Sequence, residues 1–291
     1  MVRGLRQRAP LFWNLDSGIS CAASRASSLQ LTPRGGRDEN WRLPETYGRA
    51  GRAGFAIADV DDNWYLDLHS HSTDASDDAG GTVEGYLKWI VARRKKGFRI
   101  DGFVLTEHRQ FDPAVDYSEL AEQYDVVVLR GAEVETDVGH VLVYGITQRF
   151  VDEFDLSDIA LPYEDVFKAA REFGGIAVGA HAGRARIGIA EHVTERGISL
   201  EHVTAIEQLN GGSNDDENGR ALALAEAYGL GCVGGSDAHF VNAIGRCLTA
   251  FRRPVTSIEA LVEELRGGEF SAVTVEETVE AGQAAAGGGG A

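Results

Sequence analysis

Trp64-Tyr65-Leu66-Asp67-Leu68-His69-Ser70-His71 is an apolar run that passes without interruption into a histidine pair. Its aromatic and apolar residues favour a strand, and it is too short and too sharply ended for a helix. No glycine-rich phosphate loop follows it, which counts against a nucleotide-binding doubly wound sheet. In extended backbone the side-chain period is two, so His69 and His71 leave the strand end on one face. Two imidazoles on rigid backbone make a two-toothed metal ligand.

Outward from this point, short apolar runs alternate with helical patterns. Strands are predicted at 64–68, 102–106, 126–129, 140–144, 176–179, 205–209 and 231–234, with one more at 270–275. Helices are predicted over 83–96, 117–123, 163–173, 217–228 and 257–266, several of them stopped by glycine at 174–175, 229 and 267–268. Such alternation indicates parallel β/α units, and with the phosphate loop missing the α/β barrel is favoured. A barrel of parallel strands gathers its chemistry where the strands end.

Eight histidines are present, and five directly follow predicted strands: His69, His71, His108, His181 and His239. His140 begins a strand, whereas His192 and His202 lie in polar segments of no special position. One histidine after a strand is more often structural than a ligand, but five spread over four strand ends are expected to converge on one face. Glu133 and Asp237 fall at strand ends too, and Asp74, Asp77 and Asp78 follow the first pair. Imidazole with carboxylate suits Zn, Mn or Fe better than Ca or Mg.

Composition narrows the functional classes. The 291 residues are 43% apolar and carry a net charge of −17. Residues 1–52 hold nine arginines against four acids, so the remainder stands at −22 and is a poor match for a long nucleic-acid polymer. Only four of the 28 basic residues are lysines, a bias that suits concentrated salt and equally suits a GC-rich genome. Cys21, Cys232 and Cys247 are odd in number and far apart, which argues against a disulfide framework and a thiolate zinc site. No run reaches the ~18–20 apolar residues of a membrane span, so a cytoplasmic protein is expected. Residues 1–59 show no sustained periodicity and are expected to be a disordered N-terminal extension rather than a functional basic arm. Residues 276–291, rich in alanine and glycine, are expected to form a flexible tail, leaving 60–275 as the folded domain.

In the order of these blocks the chain resembles the polymerase-and-histidinol-phosphatase (PHP) superfamily. The blocks are His69-Ser-His71, Thr106-Glu-His108, Glu133 followed by Gly139-His140, and Ser236-Asp237-Ala-His239, with His181 as a further strand-end histidine. The resemblance spans about residues 60–275 and implies a distorted (β/α)7 TIM-like barrel with two or three divalent ions (Mn, Zn or Fe) at the C-terminal ends of the strands. By that resemblance one metal takes His69, His71, Glu133 and Asp237, and a second takes Glu133, His140 and His181. A third takes His108, His239 and an acid, for which Asp77 is chosen over Asp74 and Asp78. The second block usually reads Thr-Asp-His; Glu107 keeps the charge on a longer arm. Other metal-dependent barrel hydrolases bridge their metals with a carboxylated strand-end lysine, yet Lys88, Lys95, Lys96 and Lys168 all fall in predicted helices, so Glu133 is the expected bridge.

The implied activity is hydrolysis of a small phosphomonoester or nucleotide phosphate by metal-activated hydroxide. Asp237 and His239 are candidate proton carriers, and Arg184 is a candidate phosphate clamp, with Arg109 and Arg246 as further candidates. Asn210, at a strand end, could also face the pocket. The alternatives are a 3′- or 5′-exonuclease acting on short oligonucleotides and a non-catalytic, metal-stabilised module. No membrane partner is expected.

Overall fold

The computed structural model describes residues 63–267 and 269–279. The expectations for residues 1–59 and for the glycine-rich tail beyond 279 lie outside the described residues. Nine strands occur in the described chain: β1 (Trp64–Ser70), β2 (Gly102–His108), β3 (Val127–Thr136), β4 (Gly139–Tyr144), β5 (Ile176–Gly179), β6 (Ala205–Asn210), β7 (Gly231–Gly235), β8 (Cys247–Phe251) and β9 (Phe270–Thr274). The helices are α1 (Val83–Arg94), α2 (Ser118–Tyr124), α3 (Gln148–Glu153), α4 (Tyr163–Glu172), α5 (Ile189–Arg196), α6 (Asp215–Tyr228) and α7 (Ile258–Gly267).

The strands form one sheet in the order β7-β6-β5-β4-β3-β2-β1-β8-β9, which curls until β7 meets β1 and β8. It is a distorted TIM-like barrel. Closure is made by individual contacts at that seam. Thr249 Oγ1 both accepts from Gly234 N at 2.9 Å and donates to Gly234 O at 3.0 Å. Farther along, Asp237 N donates to His69 O and His71 N to Ala238 O. Gly234 is needed here because a Cβ would stand 2.3 Å from Leu248 O.

The expectation that all the barrel strands are parallel is corrected. β1, β2 and β3 run parallel, as do β5, β6 and β7, but β4 is antiparallel to both β3 and β5. The reason is chain length: Thr136 pairs with Gly139 across only two intervening residues, far too few for a parallel crossover. Gly139 takes φ +121° in that turn, and a Cβ there would lie 2.5 Å from Ile187 O. Reversal of β4 brings His140, at its start, to the end of the barrel where β3 and β5 finish. β8, which the sequence reading did not include, is likewise antiparallel to β1. Short helices α3 and α5 were also unforeseen.

Three apolar layers hold this arrangement. The barrel interior is filled by Leu66, Leu68, Val104, Leu142, Val178, Val233 and Phe251, and α7 seals the end remote from the histidines with Leu261, Val262 and Leu265. Outside, α1 packs Val83, Leu87 and Ile90 over Tyr65, Phe103, Leu105 and Leu248. On the other flank α4 and α6 cover β3 to β6 with Val166, Phe167, Ala221 and Leu224. Past β9, residues 275–279 form a helical turn in which Thr278 is buried.

β1 itself changes face. Leu66 and Leu68 point into the barrel, so strict alternation would turn His69 outward. The register of β1 against β2 shifts between Asp67 and Ser70, which restores His69 and His71 to the interior side. Asp67, fully buried, secures the shift by accepting from Ser236 N (2.8 Å), Gly245 N (2.7 Å) and His69 N (3.2 Å). If the seam is as tight as its geometry requires, Gly234→Ala will lower unfolding stability by about 1–3 kcal/mol. Denaturant titration checks this, and an unchanged midpoint would contradict the closure described.

Candidate metal centre

Six of the eight histidines gather at the open end of the barrel around one carboxylate. Glu133, 1% exposed, lies on β3. Its Oε2 stands 3.2 Å from His69 Nε2, 3.3 Å from His71 Nε2 and 3.0 Å from His108 Nδ1. Its Oε1 stands 2.8 Å from His140 Nδ1 and 3.0 Å from His181 Nε2. The two oxygens of one carboxylate thus face two different histidine groups. Asp237 Oδ1 completes the first group at 3.5 Å from His69 Nε2 and 3.4 Å from His71 Nε2.

A third group sits at the rim. His108 Nε2 and His239 Nε2 are 3.4 Å apart, and the His71 ring stacks on His108 with centroids 4.0 Å apart. The acid beside these two is Asp78, whose Oδ2 is 3.2 Å from His239 Nε2 and 3.5 Å from His108 Nε2. Asp77, the residue chosen from sequence, is exposed and has no contact to the cluster among those described; Asp74 instead accepts from Tyr117 Oη at 2.9 Å. Neighbouring acids in one turn look alike in sequence, and the turn decides which faces inward. Glu107 sets that turn. It alternates with His108 on β2, is buried, and accepts 2.6 Å hydrogen bonds from Ser72 Oγ and Ser76 Oγ as well as bonds from Ser72 N. It shapes the 72–78 loop, while its neighbour His108 turns its ring to the cluster.

The sequence reading missed Glu207. This residue on β6 is buried and receives His69 Nδ1 at 3.1 Å on each of its oxygens, His181 N at 2.6 Å and Asn210 Nδ2 at 3.0 Å. With Nδ1 held by Glu207, His69 turns Nε2 toward the centre. A lone acid inside an apolar strand (Ala205-Ile-Glu-Gln-Leu) was the available signal. Gly235 makes room for it, since a Cβ there would meet Glu207 Oε1 and His69 Cβ, both at 2.5 Å.

Arg184 lies at the edge of the first group. Its Nη2 donates to Asn210 Oδ1 at 2.8 Å and to Asp237 Oδ2 at 3.1 Å, leaving Asp237 Oδ1 toward the histidines. Asn210 therefore links Arg184 to Glu207. Arg109 instead faces Glu135 at 3.6 Å, and Arg246 lines a separate cavity with Trp89 and Arg93. His181 and Asp237 both take positive φ (+29° and +52°), an unusual backbone state for residues other than glycine and one that collects at functional sites.

The donor set fits divalent cations. His69 Nε2 and His71 Nε2 are 3.0 Å apart beside two carboxylate oxygens, so lone pairs face lone pairs unless a positive charge stands among them. Burial pushes the His71 imidazole down to about 4, which keeps it neutral and ready to ligate. Burial opposes charge on His69 too, but Glu207, Asp237 and Glu133 together raise it well above the ordinary histidine value. Burial likewise opposes ionisation of Glu133, yet His69 and hydrogen bonds from His108, His140 and His181 hold its carboxyl far below the usual range. Nδ1 of His71 and of His181 are buried without a hydrogen-bond partner, a cost that marks rings positioned for what happens at Nε2. Three ligand-sized groups result: His69, His71 and Asp237; Glu133, His140 and His181; and His71, His108 and His239.

Comparison with known proteins finds relatives of the same fold. The PHP-associated family matches residues 215–270, from α6 into β9. Among solved structures, a two-domain protein containing a predicted PHP-like metal-dependent phosphoesterase from Bacteroides vulgatus ATCC 8482 is similar at 20% identity and a TM-score of 0.50, over 78% of this chain and 70% of that one. PsfC from Pseudomonas syringae PB-5123 shares the fold at 20% identity and a TM-score of 0.52, covering 77% of this chain and 96% of its own. The lesion-specific endonuclease PfuEndoQ from Pyrococcus furiosus does so at 17% identity and a TM-score of 0.50, over 72% of this chain and 57% of that one. No curated protein matches.

If Glu207 orients His69 for a metal, Glu207→Ala will weaken metal affinity by about 10–100-fold. Competition with a chromogenic chelator measures this, and unaltered affinity would refute the orienting role.

Proposed function

We propose that this chain is a PHP-type metal-dependent phosphoesterase acting on a small phosphomonoester or nucleotide phosphate. The observation that carries the reading is the division of Glu133, one oxygen toward His69 and His71 and the other toward His140 and His181. Such a carboxylate is placed to bridge two divalent ions, with Mn, Zn and Fe all compatible with imidazole and carboxylate donors. His69, His71 and Asp237 would hold one ion, His140 and His181 the other, and His108, His239 and Asp78 a third. Ions bound there would activate water near neutral pH and neutralise the oxygens of a phosphoryl group.

The remaining roles fall to the chain itself. Arg184 stands beside Asp237 with a planar guanidinium that suits two phosphate oxygens, and its bond to Asp237 Oδ2 fixes which oxygen faces the histidines. Asp237 and His239, 3.7 Å apart between Oδ1 and Nδ1, would carry protons to or from the reacting oxygens. The −22 charge of the chain beyond residue 52 favours a small substrate over a long polymer, whose phosphates it would repel at range. No described helix is long and apolar enough to cross a membrane.

The test is elemental analysis of the purified full chain with turnover of a panel of phosphomonoesters and short oligonucleotides. About two or more divalent ions per chain and monoester hydrolysis are expected, and His71→Ala should remove both. Metal-free protein that folds and turns over nothing after loading would sink the reading. Oligonucleotide cleavage without monoester hydrolysis would replace it with the nuclease alternative. Arg184→Ala should raise KM for monoesters with metal content unchanged, and loss of metal instead would limit Arg184 to holding Asp237.

A further inference from the structure

Phe240 follows the rim ligand His239, and among the ten phenylalanines of the described chain it is the exposed one, at 59%. The others are buried or half-buried in the apolar layers. An isolated exposed aromatic needs no explanation, but this one is held in a defined place. Gly80 N and Gly81 N both donate to His239 O, at 2.7 and 3.0 Å, which ties the 78–81 loop to the 239–240 segment. The ring then lies on Gly80, where a Cβ would stand only 2.7 Å from Phe240 Cε1. The missing side chain at Gly80 gives the ring a seat at the loop that carries Asp78.

The His108 and His239 side is one accessible side of the centre. His69, His71, His181 and Glu133 are buried, whereas the His108 and His239 side chains are each 23% exposed, that of His140 is 19% exposed and that of Asp78 is 60% exposed. A phosphoryl group that reaches the cluster over His108 and His239 leaves the organic part of its ester outside, beside Asp78 and the segment that carries Phe240. Phe240 is the apolar surface that adjoins this rim in a neighbourhood otherwise crowded with Asp74, Asp77 and Asp78. The acids there could accept hydrogen bonds from sugar hydroxyls, and the aromatic face adds what they lack, stacking to a planar group whatever its hydrogen-bonding edge.

We propose that Phe240 is a specificity-determining residue, the platform on which a planar group of the substrate, a nucleobase or another aryl moiety, stacks while its phosphate occupies the histidine cluster. The inference rests on the phosphoesterase reading and adds to it the chemistry of the organic half of the substrate. Ring-on-base stacking of this kind changes affinity by roughly tenfold when the aromatic residue is removed.

Adenosine 5′-monophosphate and ribose 5-phosphate test it, because they share the same primary phosphate ester and differ in the base. For the metal-loaded full chain, kcat/KM should favour the nucleotide. Phe240→Ala should cut that preference roughly tenfold, chiefly through KM, and Phe240→Trp should restore it. A preference that survives Phe240→Ala, or a wild type that shows none, overturns the proposal while leaving the phosphoesterase reading intact. No turnover of either ester by wild type with its metals bound overturns that underlying reading, and the role of Phe240 with it.

Discussion

A single buried carboxylate organises the open end of this barrel. Glu133 would pay a large desolvation cost as an isolated anion, and a buried carboxyl in such a position would ordinarily take up a proton. It stays ionised because five imidazoles from β1, β2, β4 and the turn after β5 surround its two oxygens. The dependence runs both ways. Without Glu133, Nε2 of His69 and Nε2 of His71 would face each other at 3.0 Å with one acid fewer beside them, and without the rings the carboxylate could not remain charged. Glu207 adds a second buried acid behind His69 and so fixes which nitrogen of that ring faces the centre.

The barrel exists in this form because each of those groups needs a particular strand direction. Five of the histidines come from, or just beyond, the finishing ends of β1, β2, β5 and β7. His140 comes from a starting end, and that works only because the two-residue turn between Thr136 and Gly139 reverses β4. The register shift in β1, secured by Asp67, performs a similar correction within one strand. Close backbone contacts at Gly234 and Gly235 then bring Asp237 and His239 to the same end.

Much of this was legible in the sequence for physical reasons. A strand end is recognisable where an apolar run stops, and a histidine there has few places to point, so the positions of His69, His71, His108, His181 and His239 could be read directly. The acidic partner of the rim could not, because Asp74, Asp77 and Asp78 share one turn whose shape depends on Glu107, a residue on another strand. Glu207 was hidden for the opposite reason: one acid in an apolar strand has no local signature of what it holds. Cys247-Leu-Thr-Ala-Phe251 escaped as β8 because it follows an irregular segment instead of a helix, which broke the alternation used to find strands.

The chemistry assigned to the chain stands on Glu133 bridging two ions. Electron paramagnetic resonance of the Mn(II)-loaded protein tests that arrangement most directly, since ions sharing one carboxylate lie about 3.5–4 Å apart and couple magnetically. The account expects a spin-coupled spectrum in the wild type that gives way to an uncoupled one in Glu133→Gln. A fully loaded wild type showing only the spectrum of isolated ions would contradict it.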